Sequence, residues 1–193
     1  NKNPGSKAPV PRMTSSLDDQ SWYLQYQYIA NNPAELGAKD EMMTPQDSTQ
    51  YAQWHAKYHP YMRSILQQFE LYDIFLVDPN SGDVVYSVFK ELDYTTSLKN
   101  GPYAQSGLGK AFNNAMALNQ PGTAALTTFE SYLPSYNDPA SFISTPVFEN
   151  GQKVGVLIFQ MPLGRINTMM TKNGDWADVG LGETGEALLL GAD

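Results

Sequence analysis

LYDIFLVDPNSGDVVYSVFKELDYTTSL, residues 71–98, is the stretch that decides the fold. YDIFLVD is a short apolar run of strand formers, PNSG supplies a turn, and DVVYSVFK reads as a second strand. The loop that follows, ELDYTTSLKNGP, crowds ionisable and hydroxyl side chains beside that hairpin. Downstream, YAQSGLGKAFNNAMAL has helical spacing, with Leu108, Ala111, Phe112, Ala115 and Met116 on one face, and QPG ends it. TAALTTFESYL then reads as a strand, PSYNDP as a loop, and SFISTPVF and KVGVLIFQM as two strands joined by ENGQ. Asn150-Gly151 is a strong hairpin signal, because both central positions of such a turn need positive φ.

Upstream of the hairpin the period is helical. SSLDDQSWYLQYQYIA carries a serine cap and acidic first-turn residues, with Leu17, Tyr23 or Leu24, and Tyr28 roughly on one side. A second helix is expected to start at Thr44 with Pro45 in its first turn. Its apolar positions, Tyr51, Trp54, Tyr58, Met62, Ile65, Leu66 and Phe69, make one stripe, of which Trp54, Tyr58, Met62, Ile65 and Phe69 are expected to pack on the sheet. Pro60 should kink or interrupt that helix. The order is helix, helix, β, β, helix, β, β, β. Antiparallel strands with one helical crossover after the second describe an α+β domain. The expected divisions are a tail at 1–14, N-terminal helices at 15–70, the sheet module at 71–163, and a linker with the start of a truncated second module at 164–193.

The chain of 193 residues is long enough for one substantial core. Its net charge of −8 argues against nucleic acid and anionic membrane surfaces, which both need basic patches. Arginine occurs only at positions 12, 63 and 165, and cysteine is absent, which removes disulfides, thiolate catalysis and Cys-based zinc sites. The lack of cysteine fits an extracytoplasmic setting. No run approaches the roughly 20 apolar residues of a membrane span. The abrupt start suggests a piece of a longer protein.

NNPAELGAKDEM, HAKYHPYMR, the 71–98 stretch, GPYAQSGLGKAF and the late GETGEALLLGAD, taken in order, resemble the ectodomain of methyl-accepting chemotaxis proteins. The element order likewise resembles a PAS-like Cache sensor module of chemoreceptors and sensor kinases, of the double-Cache type. The resemblance covers most of the chain from about Leu17 onward. It implies an α+β PAS-like Cache fold: a central antiparallel five-stranded sheet, long N-terminal helices on one face and a helical crossover after strand two. It also implies a periplasmic, ligand-sensing part of an inner-membrane receptor, without catalysis or cofactor. The membrane would be met only through flanking spans, and a homodimer would form through the N-terminal helices. The amine-sensing subgroup has Tyr, Arg and Trp at fixed spacing. Here Tyr58 and Arg63 keep the first spacing but Ile65 replaces the Trp, so that ligand class is not carried over; amino acid, amine and organic acid stay open. In double-Cache receptors a similar stretch begins the second, membrane-proximal module. Since a lone strand leaves backbone groups unpaired, Glu186–Leu190 is expected to pair with a strand edge or pack on an apolar surface, the alternative being an extended tail.

The chemical motifs have plain alternatives. His55 and His59, four apart, suit a metal on a helix, but no third ligand suggests itself, and packing or capping explains them better. Asp78, Asn80 and Asp83 faintly follow a calcium loop, yet a hairpin turn accounts for them. Gly107 and Gly109 have no strand directly before them and are discounted as a phosphate cradle. The loop at 90–96 reads as a pocket rim, a solvated surface or, least well, a catalytic loop. As a pocket it would gather Tyr86, Lys90, Asp93, Tyr94, Thr95, Tyr103, Glu130, Tyr132, Phe142 and Ser144 around a small polar ligand. The readings from other classes are a hydrolase using Glu130 and Asp93 as a carboxylate pair, and a structural spacer with a filled core and no ligand.

Overall fold

The computed structural model describes residues 14, 17–172, 175, 178, 180 and 182. The segment at 186–190 lies outside them. Seven strands form: β1 (Asp73–Val77), β2 (Val84–Ser87), β3 (Ala125–Leu126), β4 (Glu130–Tyr132), β5 (Asp138–Ala140), β6 (Phe142–Glu149) and β7 (Gln152–Gln160). Five make an antiparallel sheet in the order β2-β1-β7-β6-β3, and β4 and β5 pair as a separate ribbon. The helices are α1 (Asp19–Gln25), continued by a π-type turn at Tyr26–Ala30, then α2 (Gln50–Gln68), α3 (Gly107–Ala117) and α4 (Leu163–Thr171). The α+β class, the five-stranded sheet and the helical crossover between β2 and β3 match the expectation for a PAS-like Cache module.

Strand side chains alternate between faces, and the two faces build two cores. Phe75, Val77, Phe142, Val156 and Ile158 face α3 and pack on its Leu108, Ala111, Phe112 and Ala115. Ile74, Leu76, Tyr86, Leu157 and Phe159 face the other way, onto Met62, Ile65 and Leu66 of α2. A third cluster, Leu24, Tyr28 and Tyr94 with Tyr51, joins α1 and its π-type turn to the loop after β2. The β6–β7 hairpin turns at Asn150 (φ 49°) and Gly151 (φ 80°), the positive-φ pair that its residues suit.

Several details depart from the sequence reading. The cap of α1 is Asp18, whose carboxylate accepts the Ser21 N–H at 2.7 Å, not a serine. Helix α2 begins five residues later than expected, because Thr49 caps it through the Ala52 N–H while Asp47 holds Thr49 from outside the helix. It runs through Pro60 as one hydrogen-bonded element. Its second strand neighbour, β2, is only four residues long, because the chain after Ser87 turns to bond Asp73. TAALTTFESYL divides into β3 and β4, which belong to different sheets, and β5 lies partly inside the expected PSYNDP loop.

The buried face of α2 is also displaced by one helical step. Ala52, His55, His59 and Leu66 are buried, whereas Trp54 is 49% exposed, Tyr58 49% and Phe69 58%. Of the expected stripe, Met62, Ile65 and Leu66 reach the core on this face and Tyr51 joins the third cluster. The histidines displace the aromatics because backbone carbonyls of 40–43 accept from one ring nitrogen of each and the Tyr86 hydroxyl donates to the other nitrogen of His59, which offsets most of the cost of burying them; His55 Nε2 alone is left buried without a partner. Trp54 instead stacks on Tyr58, with the Lys57 ammonium 5.3 Å from its ring centroid. Trp54→Ala should therefore cost less than about 1 kcal/mol, while Leu66→Ala should cost about 2–5 kcal/mol. Denaturant midpoints for the two variants check this; equal losses would return Trp54 to the core.

Candidate functional site

The loop after β2 is held in an unusual backbone state. Lys90 and Thr95 both have positive φ, 57° and 64°. For a β-branched threonine that is a true outlier, and such strain persists only where surrounding contacts over-determine it. Between those two residues the loop turns its ionisable side chains inward. Lys90, Asp93, Tyr94, Thr95 and Thr96 are all buried. A pocket rim would be wetter; these side chains are interior.

One end of the α3-facing core is polar. Asp73, Gln160 and Phe142 are direct neighbours across β1, β7 and β6. Asp73 is fully buried and accepts four bonds: the N–H groups of Ile74, Val88 and Phe89 at 2.6, 2.9 and 3.2 Å, and the Ser87 hydroxyl at 2.7 Å. Burial pushes its carboxyl up while those donors pull it back. Gln160 donates to the Ser135 hydroxyl at 2.9 Å, and its carbonyl oxygen is buried without a partner. Ser135 and Gln160 form part of the floor of a cleft of about 590 Å³, walled by Leu71, Tyr72, Phe89 and Leu163 at the start of α4.

Asp93 sits beside this row. Its Oδ2 accepts the Tyr132 hydroxyl at 2.5 Å. Tyr132 packs edge-on against Phe142 at 5.2 Å and against Tyr103 at 6.1 Å between ring centroids. Gly107 opens the space for the Phe142 ring, since a Cβ there would lie 3.0 Å from it. Asp93 Oδ1 and the Tyr103 hydroxyl are both buried and have no hydrogen-bond partner. Burial raises the Asp93 carboxyl to about 7, helped by the Asp73 charge and opposed by the Tyr132 bond and, more weakly, by the nearby backbone N–H groups of Asp93 and Tyr94, neither of which completes a hydrogen bond to Oδ1. Glu91 is raised further, to about 9, by burial and by the charges of Asp93 and Asp73.

The ten residues expected around one pocket divide between the two faces. Asp93, Tyr103, Tyr132 and Phe142 come together as described. Tyr86 and Lys90 lie on the α2 side, where the Lys90 ammonium stands 4.9 Å from the Tyr86 ring centroid and donates to the carbonyls of Ser87 and Val88. Burial lowers the Lys90 pKa, opposed by Asp73 and Asp40. Tyr94 donates to the Tyr51 hydroxyl, and Thr95 to the Ser21 carbonyl of α1. Ser144 spends its hydroxyl on Ala111 of α3. Glu130 lies outside, paired with Lys110. Asp73, Ser135 and Gln160 were not among the ten. Their signal was parity: Asp73 alternates with Phe75 and Val77, and Gln160 with Val156 and Ile158, so each is a polar residue on the inward side of an apolar strand.

The paired histidines stack at 4.3 Å. The His59 Nε2–H donates to the Asp40 carbonyl at 2.7 Å, its Nδ1 accepts the Tyr86 hydroxyl at 2.6 Å, and the His55 Nδ1–H donates to the Met43 carbonyl at 2.7 Å. Among the described residues no group of three His, Asp or Glu side chains is placed to hold a metal ion. Asp78 accepts the N–H groups of Asn80 and Ser81, as a hairpin turn requires.

No protein-family model matches the chain, and no curated protein matches it. Solved structures do. The sensor domain of the V. cholerae histidine kinase DctB is 16% identical with a TM-score of 0.43, over 82% of this chain and 55% of that one. The ligand-binding domain of the Pseudomonas fluorescens chemoreceptor CtaA, in complex with L-isoleucine, is 15% identical with a TM-score of 0.37, over 78% and 50%. That of the Pseudomonas aeruginosa PAO1 amino acid chemoreceptor PctC, in complex with GABA, is 12% identical with a TM-score of 0.41, over 84% and 61%. The chain thus spans little more than half the length of these structures. At such identities and TM-scores the likeness carries no argument about a ligand.

Proposed function

We propose that this chain is a PAS-like Cache ligand-sensing module from the extracytoplasmic part of a transmembrane receptor, and that it binds a small cationic molecule at Asp93. One observation carries the reading: Asp93 Oδ1 and the Tyr103 hydroxyl are buried, adjacent to the same Tyr132 ring system, and unpaired. An unmade bond at a buried carboxyl costs about 1–3 kcal/mol or more, and a ligand that supplies the donor recovers it. Aromatic walls and a few convergent polar groups are the usual make-up of a small-molecule site.

The same loop offers a relay. Tyr94 and Thr95 follow Asp93 directly, and both are tied to α1: Gln25 Nε2 donates to the Tyr94 carbonyl at 2.7 Å and the Thr95 hydroxyl to Ser21. A ligand that binds one position of the loop better than another would bias α1 through those bonds, by no more than its differential affinity for the two states. The hydrolase reading is weaker. Its two carboxylates stand in unlike settings, Asp93 buried on Tyr132 and Glu130 at the surface on Lys110.

A thermal-shift screen against ammonium-bearing ligands tests the proposal. A ligand at a hundred times its Kd should stabilise the fold by about 2.7 kcal/mol. Asp93→Asn keeps the shape and the Tyr132 partner and should abolish the shift. A shift that survives in Asp93→Asn would move the site elsewhere.

A further inference from the structure

Every formal charge that acts strongly on the Asp93 site is negative. Asp93 is pushed by Asp73, and Glu91 by Asp93 and Asp73. Tyr103 and Tyr132 feel the same two loop carboxylates. Lys90, the neighbour in sequence, points to the other side of the sheet, and its ammonium is already held by two carbonyls and two aromatic rings. The other described cations with nearby elements are also committed: Arg63 to Asp40, Lys110 to Glu130, and Lys153 to the carbonyls ending α3. The N-terminus of α3 next to Phe142 is closed by its own Ser106, whose hydroxyl oxygen accepts the Gly109 N–H.

From this distribution we infer that the site selects amines that lack a carboxylate and rejects amino acids of the same skeleton. The inference rests on the reading of Asp93 as a ligand-binding group. An ammonium meets Asp93 Oδ1 and the Tyr103 hydroxyl, the two unpartnered buried atoms beside the Tyr132 ring. It also offsets the Asp73 charge that opposes ionisation of Asp93. An α-carboxylate entering with it brings a further negative charge into an interior that already holds three carboxyl groups and offers no free cation among the described residues. Discrimination then comes from the repulsive element and not from an added contact.

The test uses pairs that differ only by that carboxylate: putrescine against ornithine, and tyramine against tyrosine, by thermal shift and calorimetry on the full chain. The amine of at least one pair should bind at least tenfold more tightly than its carboxylated partner. Its affinity should rise from pH 6 to pH 8 as Asp93 ionises, and should be lost in Asp93→Asn. Tyr103→Phe, which removes one hydroxyl and no bulk, should weaken the amine several-fold while leaving the unliganded Tm close to wild type. Equal or tighter binding of the amino acids, lost in Asp93→Asn, would overturn the selectivity and leave the sensing site standing. Binding of either class that is indifferent to Asp93→Asn, or no shift with any of the four, would overturn the site itself.

Discussion

Asp73→Ala is expected to destabilise the protein by about 3–5 kcal/mol, the range for breaking one side of a buried charged cluster. The variant strips the acceptor from the Phe89 N–H and the Ser87 hydroxyl, both tied to Asp73 in the interior. The Val88 N–H keeps a second acceptor in the Ile74 carbonyl at 3.2 Å, so the loss is not the sum of four bonds. Lys90 also loses the larger of the two negative charges that favour its ammonium. Asp73→Asn separates the contributions. It keeps one carbonyl oxygen for the backbone donors, and the Ser87 hydroxyl can turn to accept from the new amide. It should cost well under half as much as Asp73→Ala. Adding Lys90→Met to Asp73→Asn should recover stability, because apolar replacement of a buried charge cluster is often neutral or favourable. Urea unfolding of the wild type, Asp73→Asn, Lys90→Met and the double variant closes the cycle, with Asp73→Ala measured beside it. A cost below about 1 kcal/mol for Asp73→Ala would mean that the row Asp73, Gln160 and Phe142 is hydrated and not an interior cluster.

That row also shows what the sequence made legible. The strands β1, β6 and β7, the Asn150-Gly151 turn and the inward face of α3 follow from local signals, namely alternation, turn chemistry and helical spacing. The face of α2 did not. Trp54, Tyr58 and Phe69 are more apolar than His55 and His59, and only a carbonyl supplied by a segment 12 to 19 residues away makes the histidines the buried pair. The same holds for the site. The loop at 90–96 announced its chemistry by composition, but its burial depends on α1 bonding Tyr94 and Thr95 from 69 and 74 residues upstream. Asp73 read as one acid in a strand because its partners at 87–89 come from the next turn of chain. Polar groups are placed by partners, and partners distant in sequence leave no local period.

Acid should act on the histidine pair with an effect of similar size. Burial depresses His55 to about 2 and His59 to about 4, in both cases reinforced by the Lys90 charge. Above pH 6.5 both are neutral folded or unfolded and add no pH dependence. As pH falls through 6.5 the unfolded chain takes up two protons that the folded chain refuses, so stability is lost, down to about pH 4 for His59 and further for His55. At pH 4.5 the gap is about two units for each ring, or about 5 kcal/mol together at 1.36 kcal/mol per unit. Asp93 and Glu91 work in the opposite sense. Their folded values, about 7 and about 9, lie above the unfolded ones, so the folded chain keeps protons that the unfolded chain releases as pH rises; stability is lost toward neutral pH and acid returns it. The wild-type profile between pH 7 and 4.5 is therefore shallower than either set alone, and variants reveal the parts. His55→Gln with His59→Gln should gain about 5 kcal/mol relative to wild type on going from pH 7 to 4.5, whatever it loses at pH 7. Asp93→Asn should shift the other way by about 3 kcal/mol over the same interval. Both are read as differences in unfolding free energy against pH. A double-histidine variant whose profile parallels wild type would show that the rings already take up protons in the folded state. That result would open the bonds from His59 to Asp40 and Tyr86 to question, since a protonated Nδ1 turns the Tyr86 hydroxyl from donor to acceptor.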